Sequence, residues 1–336
     1  MTRRVAVIPG DGVGPEVIGA AVKILEHLHL DLKFEFFELG FCKMRKTGEA
    51  ISDDDVEAIR EIGVVLMGPV QSPPPSVQGY RSPVLTLRRE LDLYVNLRPL
   101  RSLPAVKAVH RDVNIVVVRE NLEDIYVGLE EKFNGECRAV AVFSERNTRR
   151  LAEFAFNYAL QKGRSKITVV HKANVLRRAH GLFLAVCQQV ASRYPSILFE
   201  EMHVDTAAMQ MAMAPQRFDV ILTTNLFGDI LSSLGYGLIG GPGISPTANL
   251  GDKHAIFSPA HGSAPDIAGK NVANPIAAIL SAAMMLEWLG LPEHRKVEQA
   301  VHAALLRGVK TRDLGGAAST SQFTEAVLSI LEGESQ

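Results

Sequence analysis

Hydrophobic and polar residues form two kinds of segment along the chain. Short apolar runs rich in β-branched residues are typical of strands buried on both faces. Six such runs are predicted as strands: Val5–Ile8, Val64–Met67, Val113–Val118, Ile167–Val170, Val220–Thr223 and Ala255–Phe257. Longer amphipathic segments predict helices near Glu16–His29, Thr148–Gln161, Gly181–Tyr194 and Pro275–Leu289. Strands separated by helices favour an α/β fold with helices on both faces of the sheet.

The composition narrows the function classes. The chain has 336 residues, 47% of them hydrophobic, which allows a large core and two domains. Its net charge of −1 gives no field of one sign that would attract nucleic acid or an anionic membrane. The longest charge-free apolar stretch, Ala273 to Leu286, is shorter than the roughly 20 residues that span a bilayer. We therefore expect a small-molecule partner, and neither a nucleic-acid nor a membrane partner.

Cysteine usage and the N-terminus indicate the compartment. Cys42, Cys137 and Cys187 lie far apart and form no CxxC pair, so they suit a reducing environment. The N-terminal residues lead directly into an apolar strand and lack the combined features of a secretory signal. We expect a cytoplasmic protein.

The first glycine-rich motif, Pro9-Gly-Asp-Gly-Val-Gly14, ends a strand and opens a helix. Its G-x-G-x-G spacing differs from the dinucleotide fingerprint G-x-G-x-x-G, and it lacks the lysine of a P-loop. Glycines there let the backbone approach a ligand or another element closely. A tight structural turn explains the motif equally well.

Three arginines are candidates for binding carboxylates. Arg88 and Arg98 lie in one stretch, and Arg119 directly follows the apolar run Ile115 to Val118. A charge at the end of a buried strand is costly without an anionic partner. Converging arginines make bidentate sites for carboxylates. The alternative is ordinary salt bridges to nearby acidic residues such as Glu90.

Lys172 also follows an apolar strand. Desolvation there would lower its pKa toward that of a general base. The alternative is a surface lysine that extends its ammonium group into solvent.

Two aspartates follow apolar runs: Asp205 and Asp229. Oxygen ligands without clustered histidines or cysteines suit Mg²⁺ or Mn²⁺. Asp229 is alternatively the N-cap of a helix over Ile230–Leu238, and both roles can hold together.

The segment His261-Gly-Ser-Ala-Pro-Asp266, followed by Asn274, is a candidate nucleotide site. Small residues beside backbone amides can cradle phosphates, and Asp266 can bind ribose hydroxyls while repelling a 2′-phosphate. A polar surface turn is the alternative.

Together these segments resemble the β-decarboxylating dehydrogenase family, which includes the isocitrate, homoisocitrate and 3-isopropylmalate dehydrogenases. The resemblance extends from Ile8–Glu16 to Asp313–Gly316 and is most specific in four stretches: Leu87–Pro99, His171–Leu176, Phe218–Leu231 and His261–Met285. It implies the two-domain fold of that family, which is not a standard Rossmann domain. It also implies NAD-dependent, divalent-metal-assisted oxidative decarboxylation of a 3-carboxy-2-hydroxy acid.

The resemblance further implies a domain division and an assembly. Residues 1–99 with 249–336 would form a discontinuous large domain that binds NAD. Residues 100–248 would form a central domain with the dimer interface. The protein is thus expected to be a homodimer whose active sites are shared between subunits.

Site residues follow from the same resemblance. Arg88, Arg98 and Arg119 would hold the malate-like carboxylates, and Asn174 would also bind the substrate. Asp229 and Asp205 of the partner subunit would bind Mg²⁺ or Mn²⁺. Lys172 of the partner subunit would help deprotonate the hydroxyl, and Tyr126 would supply the proton after decarboxylation. NAD would be bound by His261, Gly262, Ser263, Ala264, Asp266, Ile267 and Asn274.

Two positions depart from the family pattern. An aspartate usual four residues after Asp229 is replaced by Ser233. A glutamate usual three residues before His261 is replaced by Ser258. The first departure bears on the strength of metal binding.

The substrate's C3 side group would be read by the residues before Arg88. Arg81 and Ser82 resemble the isocitrate-type pattern, in which a distal carboxylate is bound, while Val84 and Leu85 are apolar. We expect homoisocitrate or isocitrate, with 3-isopropylmalate second and another C3-substituted malate (tartrate or a phosphonate analogue) third. A non-catalytic regulatory subunit is disfavoured because the lysine, tyrosine and both metal aspartates are present.

Overall fold

The computed structural model describes residues 2–74, 77 and 79–333. Its strands, in chain order, are β1 (Arg3–Ile8), β2 (Leu32–Phe36), β3 (Val64–Met67), β4 (Val95–Arg101), β5 (Asn114–Glu120), β6 (Asp124–Phe133), β7 (Glu136–Val142), β8 (Lys166–His171), β9 (Leu198–His203), β10 (Val220–Thr223), β11 (Pro246–Leu250) and β12 (Ala255–Pro259). Its α-helices are α1 (Gly14–His27), α2 (Phe41–Thr47), α3 (Asp53–Ile62), α4 (Pro83–Glu90), α5 (Glu145–Gln161), α6 (Ala179–Ala191), α7 (Val204–Met213), α8 (Asn225–Ile239), α9 (Ile276–Trp288), α10 (His294–Leu306) and α11 (Thr320–Gly333).

Ten strands form one sheet in the order β2-β1-β3-β12-β11-β4-β5-β10-β8-β9, and β6 pairs with β7 in a separate hairpin. The predicted α/β fold is confirmed, and all six predicted strands and all four predicted helices are present. Strands β3 and β10 have the predicted ends, and the other predicted elements differ from the prediction at one end or both. The sheet is mixed, because β4 pairs antiparallel with both β5 and β11, and β11 pairs antiparallel with β12.

Alternation along the strands explains why both faces of the sheet are covered. In β1, Val5 and Val7 belong to one apolar core, and Ala6 and Ile8 to a second. Successive side chains of a strand point to opposite faces, so a wholly apolar strand needs a cover on each side. Among the described residues, no helix combines the length and apolar character needed to cross a membrane.

Some elements were not predicted. The strands that were not predicted are β2, β4, β6, β7, β9 and β11. Polar residues interrupt the apolar ones in β2 and in β4, as Asn96 and Arg98 do in β4. The expected domain boundaries at 99/100 and 248/249 fall inside β4 and β11, which pair with each other. That division stays a prediction.

The N-cap prediction for Asp229 is wrong. Helix α8 begins at Asn225, so Asp229 lies inside it. The early start is supported by Asp124, whose carboxylate accepts the N–H of Leu226 at 2.9 Å and so satisfies a free amide of the first turn. The same helix continues to Ile239, through part of the glycine-rich run 237–243.

The glycine motif at residues 10–14 is a structural turn that joins three loops. Gly12 has φ +60°, and a Cβ there would lie 1.9 Å from the carbonyl oxygen of Ser263. The N–H of Val13 donates to that same oxygen at 2.8 Å. The buried carboxylate of Asp11 accepts backbone N–H groups of Phe41, Cys42 and Gln71. The motif therefore fixes the position of the 261–264 loop.

We predict that Gly12→Ala lowers the free energy of unfolding by about 2–3 kcal/mol, because the new Cβ meets backbone that cannot move independently. Gly19→Ala is the matched control. Gly19 is exposed in α1 with open space around its Cα, so alanine there should be neutral or stabilise by up to about 1 kcal/mol. Urea denaturation checks both. Equal effects of the two substitutions would contradict this account of the motif.

Candidate active site

Four parallel strands bring several of the predicted site residues to one edge of the sheet. Strands β5, β10, β8 and β9 are neighbours and run in the same direction. Their carboxyl ends carry, in spatial order, Arg119, the start of α8, Lys172 and the start of α7 with Asp205. The carboxyl edge of parallel strands is where α/β proteins commonly bind ligands.

Arg119 is the most enclosed charge of this edge, with its side chain 1% exposed. Asn225 Oδ1 accepts from its Nε at 3.0 Å and from a terminal nitrogen at 2.7 Å. The other terminal nitrogen pairs with Asp229, and the guanidinium lies 5.1 Å from the ring centre of Tyr126. Gly228 leaves the necessary room, since a Cβ there would lie 2.5 Å from Arg119 Cγ.

The Asp229 carboxylate accepts hydrogen bonds from three neighbouring side chains. Besides Arg119, it accepts from Arg98 at 3.0 Å and from the Tyr126 hydroxyl at 2.7 Å. Burial alone would raise the pKa of Asp229, but the charges of Arg119 and Arg98, together with the hydrogen bonds from Tyr126 and Arg98, outweigh it and lower the pKa. The carboxylate is thus held ionised, with its side chain still 39% exposed.

Arg88 adds a third positive charge. Its Nε donates to Asn249 at 3.0 Å. Burial, and then repulsion from Arg119 and Arg98, lower the pKa of Arg88 to about 9, so it remains protonated at neutral pH. The guanidinium groups of Arg88, Arg98 and Arg119, here called the arginine cluster, therefore lie around the single carboxylate of Asp229. This excess of positive charge suits a ligand with several carboxylates.

Tyr126 is held as a proton donor. Burial and the hydrogen bond to Asp229 raise the pKa of Tyr126, while Arg119 partly opposes them. The phenol therefore stays protonated at neutral pH, with its hydroxyl in the centre of the cluster.

Lys172 and Asp205 form a separate pair in which Lys172 Nζ donates to Asp205 at 2.8 Å. The hydrogen bond from Lys172 lowers the pKa of Asp205. Within the described residues, no hydrogen bond or ion pair joins this pair to the arginine cluster. Asn174, in the same loop, is exposed. Among the described residues of the single chain, these three therefore make no direct polar contact with the arginines.

Two buried histidines hold the backbone at Lys172. His180 Nδ1 accepts the N–H of Lys172, and His171 Nδ1 accepts the N–H of Ala173, both at 3.1 Å. The His180 ring packs against Phe143 and against Phe227 of α8. Burial lowers the pKa of His180 to about 4, which keeps the ring neutral and able to accept.

Five of the seven expected nucleotide residues border a cavity of about 660 Å³. His261, Gly262, Ala264, Ile267 and Asn274 line it. A second cavity of about 190 Å³, lined by Arg88 and Arg98 among others, shares His261 and Gly262 with the first. The arginine cluster and the nucleotide candidate are thus neighbours.

Two of the expected nucleotide residues do not line that cavity. The carbonyl of Ser263 is occupied by Val13 N–H, and Asp266 is exposed. Sequence reasoning missed Arg312 and Asp313, which do line it. Asp313 accepts from Asn274 at 2.9 Å, a contact across 39 residues that no local pattern could indicate.

The residues expected to read the substrate's side group lie at the start of α4. Ser82 is the N-cap of this helix, and Arg81 forms an ion pair with Asp53 at 2.5 Å. Val84 lines the smaller cavity, whereas Leu85 is exposed. Val84 therefore borders the smaller cavity, which Arg88 and Arg98 also line, whereas Arg81 does not.

The two serines that depart from the family pattern form hydroxyl contacts. Ser233 donates to the backbone oxygen of Asp229 at 2.9 Å, and the Ser258 hydroxyl lies 3.0 Å from that of Thr247. Over the described ranges, no group of three or more histidine, cysteine, aspartate or glutamate residues could hold a metal.

Comparisons with known proteins show which family this chain resembles. Residues 4–327 match the model of the isocitrate/isopropylmalate dehydrogenase family. The 3-isopropylmalate dehydrogenase of Archaeoglobus fulgidus is 43% identical, covering 98% of this chain and 100% of its own. The isocitrate/homoisocitrate dehydrogenase of Thermus thermophilus is 46% identical, covering 99% of each. The crystal structure of isocitrate dehydrogenase from Methylococcus capsulatus has a TM-score of 0.94 at 42% identity, covering 98% of this chain and 99% of that one.

The chain therefore belongs to the isocitrate/isopropylmalate dehydrogenase family and is an enzyme of the dehydrogenase class. The resemblance identified from the motifs is confirmed. Because relatives of similar identity carry different substrate names, the family does not fix the substrate.

The buried His180 makes a pH prediction. Its ordinary pKa of 6.5 falls to about 4 in the folded protein, so between these values the unfolded chain binds the proton more readily. The contribution of His180 to the stability of the folded protein is then complete above pH 6.5 and is lost as the pH falls toward 4. The free energy of unfolding should drop by about 2 kcal/mol from this group between pH 7 and pH 5.

Denaturation of His180→Gln at both pH values measures that contribution, since the variant should show a correspondingly smaller drop. His29→Gln removes an exposed histidine and is the control. An unchanged pH dependence in His180→Gln would overturn this assignment.

Proposed function

We propose that the protein oxidises and decarboxylates a 3-carboxy-2-hydroxy acid with NAD and a divalent cation, and that isocitrate or homoisocitrate is the substrate. The observation that carries the proposal is the excess positive charge of Arg88, Arg98 and Arg119 around Asp229. The alternative substrate is 3-isopropylmalate, which Val84 in the smaller cavity favours.

In this proposal the arginines bind the two carboxylates common to all candidate substrates. The substrate carboxylates would replace Asp229 as the partner of Arg98 and Arg119. Asp229 would then no longer be needed to compensate these two charges and would be free to bind another cation. Asp229 oxygens, with those of Asp205 from a second chain, form an oxygen donor set that suits Mg²⁺ or Mn²⁺. When bound, the cation would polarise the C2 oxygen and NAD would accept hydride from C2.

Protons are handled by two side chains. Lys172 Nζ would take the proton of the C2 hydroxyl, and the Tyr126 hydroxyl would return one to C3 after CO₂ has left. The raised pKa of Tyr126 keeps this proton in place until it is needed. Large and central domains, with boundaries at 99/100 and 248/249, would enclose these groups in a cleft.

The substrate panel tests the function. NAD reduction with Mg²⁺ or Mn²⁺ is measured on isocitrate, homoisocitrate, 3-isopropylmalate, tartrate and malate, comparing kcat/KM. We expect isocitrate or homoisocitrate to be preferred. We expect Arg81→Leu to lower kcat/KM for the preferred one about ten- to a hundredfold, through loss of a charge-assisted bond.

A small effect on malate, which lacks the C3 group, is the internal control for Arg81→Leu. If Arg81 instead stays with Asp53, every substrate is nearly unaffected and wild type prefers 3-isopropylmalate. Absence of turnover on the entire panel would overturn the proposed function.

The cofactor is proposed to be NAD, because Asp266 would repel a 2′-phosphate. We predict that kcat/KM with NAD exceeds that with NADP by about a hundredfold or more. Asp266→Asn, which removes the charge and keeps the shape, should narrow the ratio. Arg312 at the cavity offers a competing cation, so comparable values for both cofactors in wild type would mean that Arg312 and not Asp266 dominates.

A homodimer with shared sites is proposed because, among the described residues, Lys172 and Asp205 make no polar contact with the arginine cluster. Exposed apolar side chains within residues 100–248, such as Val175, Met213 and Ile230, are available for the interface. Mixing inactive Lys172→Met and Arg98→Met chains should then restore about a quarter of wild-type activity, since half the dimers carry one complete site. No restored activity, with subunit exchange demonstrated, would place each site within one chain.

A further inference from the structure

Three buried asparagines meet beside the arginine cluster. The Oδ1 atom of Asn249 accepts from Arg88 Nε at 3.0 Å, from Asn96 Nδ2 at 2.7 Å and from Asn121 Nδ2 at 3.1 Å. The asparagines are 1% (Asn96), 2% (Asn121) and 4% (Asn249) exposed. An amide oxygen has two lone pairs, so three donors restrict one another to a single arrangement.

Strand register places this group next to the arginines. Asn249 of β11 lies opposite Asn96 of β4, and Asn96 lies opposite Arg119 of β5. Residues opposite each other in a sheet point to the same face, as do residues two apart on one strand. Arg98, two residues after Asn96, therefore joins the same row of side chains.

Asn96 connects the two halves of the network. Its Oδ1 accepts from Arg98 Nε at 2.5 Å while its Nδ2 donates to Asn249. Asn249 thus holds Arg88 directly and Arg98 through Asn96. Both arginines donate their Nε–H to an asparagine. A terminal nitrogen of Arg98 also donates to Asp229 and Ser232, whereas among the described residues the terminal nitrogens of Arg88 have no hydrogen-bond partner.

The side chains that accept from the two Nε atoms, Asn249 and Asn96, are neutral amides. A carboxylate at position 249 would accept the same three donors, but it would also compensate the charge of Arg88. An amide fixes the direction of the guanidinium and leaves its charge uncompensated. This chemistry is what a site that recruits anionic groups needs.

We propose that Asn249 is a positioning residue that orients Arg88, and through Asn96 also Arg98, while leaving their charges to the carboxylates of the substrate. The proposal rests on the proposed function, because it takes these arginines to be the carboxylate-binding groups. A purely structural role is the competing account, since Asn121 also donates to the backbone oxygen of Leu93 at 2.8 Å and so ties strand ends together.

Asn249→Asp separates the two accounts, because it is isosteric and keeps the acceptor. Positioning with neutrality predicts that KM for the polycarboxylate substrate rises about tenfold or more, with kcat and KM for NAD changed less than about threefold and Tm not lowered. The Kd of malate with Mg²⁺, measured by calorimetry, should rise in parallel. A structural role predicts a changed Tm with KM unaffected.

Asn157→Asp is the matched control, because Asn157 Oδ1 likewise accepts a hydrogen bond, from the Tyr194 hydroxyl at 3.1 Å, outside the site. Should Asn249→Asp fail to fold, Asn96→Asp adds the same charge beside Arg98, with the same rise in KM expected. A KM within twofold of wild type in the folded variant would overturn the proposal and leave the function standing. Wild type that turns over no panel substrate and binds no malate would overturn both.

Discussion

Arg119 carries its charge inside the protein, at the end of a strand that is otherwise apolar. A buried guanidinium requires acceptors for its N–H groups and a counter-ion. Helix α8 supplies both within one turn and a half: Asn225 accepts twice, Asp229 provides the negative charge, and Gly228 leaves room for the aliphatic part of the side chain. The early start of this helix, secured by Asp124, is what brings these groups into reach.

The surrounding charges follow from this arrangement. Arg88 and Arg98 approach the same point from α4 and β4, so one carboxylate serves several cations. Neutral asparagines orient these cations without reducing their charge. On the proposed function, the carboxylates of the substrate relieve this repulsion, and Asp229 is thereby released to bind a cation. Substrate and metal would then bind cooperatively, through one shared carboxylate.

Much of the framework could be predicted from sequence because apolar strands and strand ends have local signatures. Arg119 and Lys172 could be predicted to lie at the carboxyl ends of β5 and β8, where parallel strands meet at one edge of the sheet. The asparagines could not be identified, because a buried Asn249 and a surface asparagine look alike in one sequence. The pairing of Arg81 with Asp53 likewise depends on tertiary packing across 28 residues.

Direct Mn²⁺ binding, followed by electron paramagnetic resonance, tests this account most directly. It measures the proposed contribution of Asp229 to metal affinity without requiring turnover. The account predicts that a saturating polycarboxylate, isocitrate or malate, lowers the Kd of Mn²⁺ at least about tenfold, and that Asp229→Asn abolishes this coupling. A Kd of Mn²⁺ that is the same with and without the polycarboxylate would contradict it. So would an Asp229→Asn variant that binds Mn²⁺ as wild type does.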